Sequence, residues 1–380
     1  MQEIRVDPCG IKIMMPKAIN HLLRINSISN ISANILKQEM LSLGGDAAVA
    51  RDALTGKAKK TDCLLIGNLA QFNRLKEKLK RQPFGLGELS GQLGQALSNY
   101  ESNNFILRVG SHKLNLSRRA HIMGVVNLTP DSFSGDGLLL TNDRIIDYAQ
   151  RLVEDGADII DVGGESSRPG AKPVSVKEEL TRTIPVIRAL AKKIKVPISI
   201  DTHKPQVAEA ALDAGAVIVN DITGLTNVNL AGLIARRKAG VVIMHMKGKP
   251  QTMQRNPVYK CLMVEIIKYL KSSVKRSIDS GIDENKIIID PGIGFGKTAE
   301  HNLEILKNLN ELKVLGRPVL VGPSRKSFIG KILSAGPAER VFGTVSACIL
   351  AVQNGAKIVR VHDVLETKQA LCVSEAINNA

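Results

Sequence analysis

From residue 121 onward the chain repeats one pattern eight times: a short apolar run, often β-branched, followed by a longer amphipathic stretch. The apolar runs are 121–127, 158–163, 197–201, 217–220, 241–246, 286–290, 318–322 and 357–362. Each is bounded by Gly, Pro or Asp, as strands buried on both faces of a parallel sheet should be. Apolar residues at helical spacing fill the stretches between them, as over 143–155, 176–193 and 260–280. Gly156 and Gly215 stand just before the second and fourth runs, where a helix would end and a strand begin. Eight such units over some 260 residues predict a (β/α)₈ TIM barrel. A doubly wound sheet is the alternative, but it rarely uses eight such even units. Upstream, 105–109 and 112–116 flank Gly110-Ser111 and read as a β-hairpin, expected to plug the N-terminal end of the barrel.

Residues 1–104 read as a separate small α/β domain, with helices over 30–43 and 69–80 and a strand over 63–67. The barrel with its hairpin then occupies 105–380. The size of the chain, 380 residues, suits this division.

Composition narrows the class. Hydrophobic residues at 44% can build a large core, and charged residues at 23% fit an ordinary soluble globular protein. No apolar run approaches the ~20 residues needed to span a bilayer. Met1-Gln2-Glu3-Ile4-Arg5 is followed by no long apolar stretch, so neither a secretory signal nor a membrane partner is expected. Five scattered cysteines without a Cys-x-x-Cys pair disfavour zinc and disulfides and point to the cytoplasm.

The net charge of +16 admits a nucleic acid or an anionic small molecule as partner. Aromatic residues are only 3%, with no Trp, so stacking platforms are scarce and no nucleic acid is expected. Nine basic and three acidic residues lie between Arg51 and Arg81. They form either a nucleic-acid or regulatory site or a solvated helical face, and the second reading is preferred.

In a barrel, chemistry sits at the C-terminal ends of the strands. All eight expected ends here carry polar or charged groups. They include Asn127, the 163–170 segment with Glu165, Ser167 and Arg168, and Asp201-Thr202-His203-Lys204. Asn220-Asp221, His245, the 290–297 segment, Ser324-Arg325-Lys326-Ser327, Arg360 and His362 complete the set. Asp201, Asn220 and Asp290 can together read a flat heterocycle bearing N–H and C=O groups, and Lys326 adds a donor. Arg360 and His362 are two apart on one strand and share a face. With Asn127 they form a candidate anion and metal site, since an amide oxygen suits Mg²⁺ and guanidinium suits phosphate.

Single residues have plainer readings. A buried Asp at a strand end often caps a turn. His245, between Met244 and Met246, reads equally as a packed core histidine or a ligand. Arg325 and Lys326 alone could be a solvated helix start. Gly296-Lys297-Thr298 looks like the end of a P-loop, but the required earlier glycine is Pro291, and Gly292-x-Gly294-x-Gly296 is not the dinucleotide fingerprint.

Taken in order, the segments GVVNLTPDSFSGDG (124–137), GADIIDVGGESSRPGA (156–171), SIDTHKP (199–205), VNDITGL (219–225), MHMKGKPQTMQ (244–254), DPGIGFGKT (290–298), SRKSFIG (324–330) and RVHDV (360–364) resemble the dihydropteroate synthase family of pterin-binding barrels. The resemblance covers the whole barrel. It implies displacement of diphosphate from 6-hydroxymethyl-7,8-dihydropterin diphosphate by 4-aminobenzoate, giving 7,8-dihydropteroate in folate biosynthesis. It implies that Asp201, Asn220, Asp290 and Lys326 hold the pterin, and that Ser167, Arg168, Phe295 and Ser327 frame the aminobenzoate. Asn127 would bind Mg²⁺ and, with Arg360 and His362, the diphosphate. Asp201, Lys326, Arg360 and His362 would carry catalysis, the 128–137 and 164–171 loops would close over the site, and a homodimer and sulfonamide targeting are implied as well.

Small departures from the family pattern, at Ser166-Ser167, Gly135-Asp136-Gly137 and Pro323, remove no proposed catalytic group. Two alternative functions share parts of this pattern. A methyltetrahydrofolate methyltransferase shares the barrel but has no use for a diphosphate site. A non-catalytic pterin-binding protein would not need intact loops.

Overall fold

The computed structural model describes every residue except 58, 130–141 and 167–169. The chain divides into two compact units, Met1–Asn99 and Tyr100–Ala380. The expected boundary at 104 lies slightly downstream of this division, because one helix, Leu86–Glu101, runs across the junction.

The first unit is an antiparallel sheet of three strands with helices. Strands β1 (Asn20–Ser29), β2 (Asp46–Val49) and β3 (Lys60–Asn68) lie in the order β1-β3-β2. Burial alternates along β3, so Cys63 and Leu65 face the core while Asp62 and Ile66 face outward. Leu36 and Met40 of the helix Asn30–Ser42, and Phe72, Leu75 and Leu79 of the helix Leu69–Leu79, close over that face. Asn68 and Gln71 form a reciprocal capping box at the start of the latter helix. β3 and these two helices are legible in the sequence, whereas β1 and β2 are not. In β1 the inward positions alternate with polar residues and are only half-buried, and β2 is a short Asp-Ala-Ala-Val segment of weak β-propensity.

The second unit begins with the hairpin β4 (Ile106–Val109) and β5 (His112–Asn115), which turns on Gly110 at φ 54°. Eight parallel strands follow: β6 (His121–Asn127), β7 (Ile159–Gly163), β8 (Ile198–Asp201), β9 (Ile218–Asp221), β10 (Gly240–Met244), β11 (Ile287–Asp290), β12 (Val319–Val321) and β13 (Ala356–Val361). They form a closed barrel, because β13 pairs with β6 through Ile358 with His121 and Val361 with Gly124. Closure excludes the doubly wound alternative.

Strand alternation sorts each strand's residues between two cores. Ile122, Val126, Ile160, Val162, Ile200, Val219, Val241 and Ile289 pack outward, against the surrounding helices. Met123, Ile159, Ile218, Val242, Ile288, Leu320 and Ile358 form a second, fully buried cluster with Leu107, Val109 and Leu116 of the hairpin segment. These barrel residues lie near the N-terminal ends of their strands. Each such side chain is worth roughly 1.5–3 kcal/mol when withdrawn from water.

Candidate active site

The same alternation locates the site. Two residues beyond the apolar interior layer, the same strand faces carry different chemistry. Ile159 is followed by Asp161, Ile218 by Asn220, Val242 by Met244, Ile288 by Asp290, and Ile358 by Arg360 and then His362. Met123 leads through Val125 to Asn127, and Ser199 leads to Asp201. The interior is therefore apolar at its N-terminal end and polar at its C-terminal end.

Arg360 organises this polar layer. Its Nε donates to Asp161 Oδ2 at 2.6 Å and its Nη2 to Asp201 Oδ2 at 3.0 Å. Asn220 Nδ2 donates to the same Asp161 oxygen at 3.1 Å. Asp161 is completely buried, and its Oδ1 has no hydrogen-bond partner among the described residues. Burial lifts Asp201 to about 7; Arg360 opposes the rise, while Asp161, Glu179 and Asp221 add to it.

A second chain of contacts runs from β12 to β6. Ser324 Oγ lies 3.0 Å from His362 Nδ1, and His362 Nε2 lies 3.5 Å from Asn127 Nδ2. Burial, reinforced by Arg360 and Arg325, depresses His362 to about 3, so the ring is a neutral acceptor or donor and not a cation. An ideal Cβ on Gly163 would come within 3.6 Å of Asn127 Oδ1 and 3.7 Å of Asp201 Oδ2. Those two oxygens thus lie on the same side of Gly163, at ordinary contact distance from where a Cβ would stand.

Beside it lies an apolar patch. Met244, Met253 and Phe295 are buried together, with Ile222 and Met246 packed against them. Lys326 Nζ stands 4.4 Å from the centre of the Phe295 ring. Asp290 accepts the Gly292 N–H at 2.6 Å. Burial raises Asp290 to about 6, against the pull of that N–H and of Lys297, Lys326 and Arg360. Of the expected residues, Asn127, Asp201, Asn220, Asp290, Phe295, Lys326, Arg360 and His362 are thus joined by contacts or by their mutual fields. Ser327 opens the helix Ser327–Leu333, and among the described residues no hydrogen bond of the cluster runs through it. Ser167 and Arg168, and most of the 128–137 loop, lie outside the described residues.

Three further features surround this layer, and of their residues Asp161 was not singled out from sequence. Asp161 sits inside the apolar run Ile-Ile-Asp-Val-Gly, and the alternation that sends Ile159 inward was the signal for it. Lys204 bonds Glu165 Oε2 at 2.6 Å, Glu179 Oε2 at 2.5 Å and the Val174 carbonyl at 2.6 Å, joining the two ends of the segment after β7. His245 and Lys297 form a buried pair, with His245 Nδ1 3.0 Å from Lys297 Nζ. Burial, aided by the charge on Lys297, holds His245 far below its usual range, so it is a neutral core histidine. Among the described residues no group of three or more His, Cys, Asp or Glu could hold a metal ion.

The pattern of the pterin binding enzyme family matches residues 123–362, which span the strand ends just described. The chain belongs to that family. Within the pterin-binding enzymes it is similar to dihydropteroate synthases. It is 48% identical over 273 residues to the Synechocystis enzyme of that name, covering 71% of this chain and 94% of that one. A solved structure of Xanthomonas albilineans dihydropteroate synthase with 4-aminobenzoic acid superposes with a TM-score of 0.69 at 41% identity, covering 73% of this chain and 99% of that one. A probable bifunctional folylpolyglutamate synthase/dihydropteroate synthase of Halobacterium salinarum is 37% identical over 378 residues. That match covers 99% of this chain but 45% of the longer protein, so similarity runs through the N-terminal unit as well. The pterin-binding barrel is accordingly an enzyme, a transferase with dihydropteroate synthase activity.

Proposed function

We propose that the strand ends divide the condensation of 4-aminobenzoate with 6-hydroxymethyl-7,8-dihydropterin diphosphate as follows. Asp201, Asn220, Asp290 and Lys326 hold the pterin. Buried acceptors opposite a ring rich in N–H groups make a mismatched ring costly, since each unpaired partner forfeits about 1–3 kcal/mol. Phe295 and Ser327, with Ser167 and Arg168, frame the aminobenzoate beside the methionine-lined patch. Arg360 and His362 receive the diphosphate.

The carbon–oxygen bond at the pterin methylene breaks, and its electron pair leaves with the diphosphate. The aniline nitrogen, already nucleophilic, forms the new carbon–nitrogen bond and gives its proton to solvent. No strong general base is required. Positive charge grows on the methylene and ring as the bond breaks, and the Asp201 carboxylate stabilises it. Lys326 orients the ring, and Arg360 and His362 stabilise the leaving group while shielding it from competing water.

Magnesium fits the oxygen set here. Asn127 Oδ1 and Asp201 Oδ2 border the space over Gly163, and Mg²⁺ favours such hard oxygens together with phosphate oxygens and water. Asn127 would hold the ion, which would neutralise charge on the departing diphosphate.

The observation that carries this reading is the buried Asp161–Arg360–Asp201 chain with Asn220 on its flank, because it assembles ring acceptors and an anion-binding cation within one polar layer. The test is diphosphate release from the dihydropterin diphosphate. It should require both 4-aminobenzoate and Mg²⁺; release without either, or none with both, rejects the assignment. Methyl transfer and simple pterin binding both predict no such release.

The working unit in this reading is a homodimer in the cytoplasm. Phe342 at 85%, Ile377 at 70% and Val373 at 61% exposure line a groove between the helices Val341–Gln353 and Val364–Asn378, an apolar face suited to a second copy. Sedimentation should give twice the chain mass. All five cysteines are free, as a reducing compartment requires, and no helix among the described residues is long and apolar enough to cross a membrane.

A further inference from the structure

The loop after β11 holds a buried lysine that the reaction as drawn does not use. Lys297 is 2% exposed. Its Nζ lies 3.0 Å from His245 Nδ1, 2.9 Å from the Phe295 carbonyl and 3.4 Å from the His245 carbonyl. Three acceptors match the three N–H bonds of an ammonium. The neutral His245 ring is fixed in turn by Tyr269, edge-on at 4.9 Å, and by Tyr259 at 6.2 Å.

The loop itself is pressed onto the end of β10. A Cβ on Gly292 would fall 2.0 Å from the His245 carbonyl oxygen, and one on Gly296 would fall 2.2 Å from that of Lys247. Both glycines have positive φ, 71° and 63°. Tyr259 Oη donates to the Gly296 carbonyl at 2.8 Å, and Gln254 Nε2 to that of Gly294 at 2.5 Å. The loop carries Phe295 and follows directly from Asp290, so whatever fixes it fixes both.

We propose that Lys297 is a positioning residue for the pterin: its ammonium ties the Phe295 backbone to His245 and supplies a positive charge that the Asp290 carboxyl faces inside the barrel mouth. This rests on the reading of Asp290 as a pterin acceptor. An ionised carboxylate accepts from two ring N–H groups, whereas a protonated one spends an oxygen as a donor. The groups acting on Asp290 are Lys297, Lys326 and Arg360. Lys326 and Arg360 are also assigned to substrate in this reading, whereas the contacts of Lys297 are to His245 and the Phe295 carbonyl. Burial pulls Lys297 down to about 7, Lys326 pulls the same way, and Asp290 holds it up. Each group thus favours the charged form of the other against burial, and both are largely charged between about pH 6 and pH 7. A buried lysine serving only to fill space would be costlier than the apolar side chain that could replace it.

The test is isothermal titration of 6-hydroxymethylpterin, which lacks the diphosphate, into wild type, Lys297→Met and Asp290→Asn from pH 5 to pH 9. Loss of a nearby opposite charge raises a carboxyl by about one unit or more. In Lys297→Met the midpoint below which pterin binding weakens should move up by about one pH unit, with binding weaker by about twofold at pH 7 and by nearly tenfold at pH 5. Affinity should recover toward wild type at pH 9, and kcat at saturating pterin should hold. Asp201 contributes to the profile of both proteins, but the charges acting on it are Arg360, Asp161, Glu179 and Asp221, so it cancels in the difference. A loss equal at every pH with an unmoved midpoint, or no loss, overturns the proposal. Asp290→Asn separates the two levels. If it binds pterin normally, the pterin assignment itself fails; if it binds poorly while Lys297→Met behaves as wild type, only the role of Lys297 fails. Should Lys297→Met not fold, Lys297→Gln removes the same charge, can still donate to the Phe295 carbonyl, and carries the same measurement.

Discussion

Asp290, proposed above as a pterin acceptor, opposes the fold that holds it. Its folded value, about 6, lies above the ordinary carboxylate range because the barrel interior disfavours its charge. A raised carboxyl contributes stability that is present below its unfolded value and lost as pH rises through the folded one. Asp290→Asn should therefore stabilise the protein by about 1–3 kcal/mol at pH 8. The gain should vanish at about pH 3, where both states are protonated. Urea denaturation at the two pH values checks this, and an equal gain at both would refute the linkage. The same substitution should weaken pterin binding. Residues at strand ends were legible in the sequence because a charged group closing an apolar run has few structural reasons to be there. Asp161 was not, because it lies within the run; His245 was legible as a packed core histidine or a ligand, but its pairing with Lys297 was not, because it forms only when the loop folds onto β10.

At the scale of elements, the barrel strands were legible almost to the residue, since strands buried on both faces write themselves as apolar runs between breakers. The N-terminal sheet was only partly legible: β1 is half-exposed and interrupted by polar residues, so its alternation is weak. The hairpin β4–β5 gives the sharpest test at this scale. Leu107, Val109 and Leu116 share a buried cluster with the apolar interior layer, and we propose that they close the N-terminal end of the barrel. Leu107→Ala should cost about 2–4 kcal/mol by leaving a cavity. KM for both substrates should stay unchanged, because the polar layer lies at the opposite strand ends. A shift in KM without loss of stability would mean that the hairpin belongs to the site.

For the whole molecule, the division into two units raises the question of what the barrel needs. The Synechocystis dihydropteroate synthase is matched over 94% of its length by 71% of this chain, so a relative of that name has no comparable N-terminal unit. A chain reduced to the barrel unit, Tyr100–Ala380, should fold and release diphosphate at a rate within about threefold of the full protein, a change worth under 1 kcal/mol. A folded but inactive barrel would assign the first unit a part in catalysis.

Charge in the polar layer carries the proposed mechanism: Asp201 is held against Arg360, and we propose that the reacting methylene sits beside it. The measurement that tests it most directly is kcat for Asp201→Asn in the diphosphate-release assay at saturating substrates. Removing one preorganised electrostatic partner of a transition state typically lowers kcat about 10²–10³-fold, and a loss of that size is predicted here. A near-normal kcat, with only KM changed, would show that Asp201 binds the ring without stabilising its charge, and would contradict the dissociative mechanism.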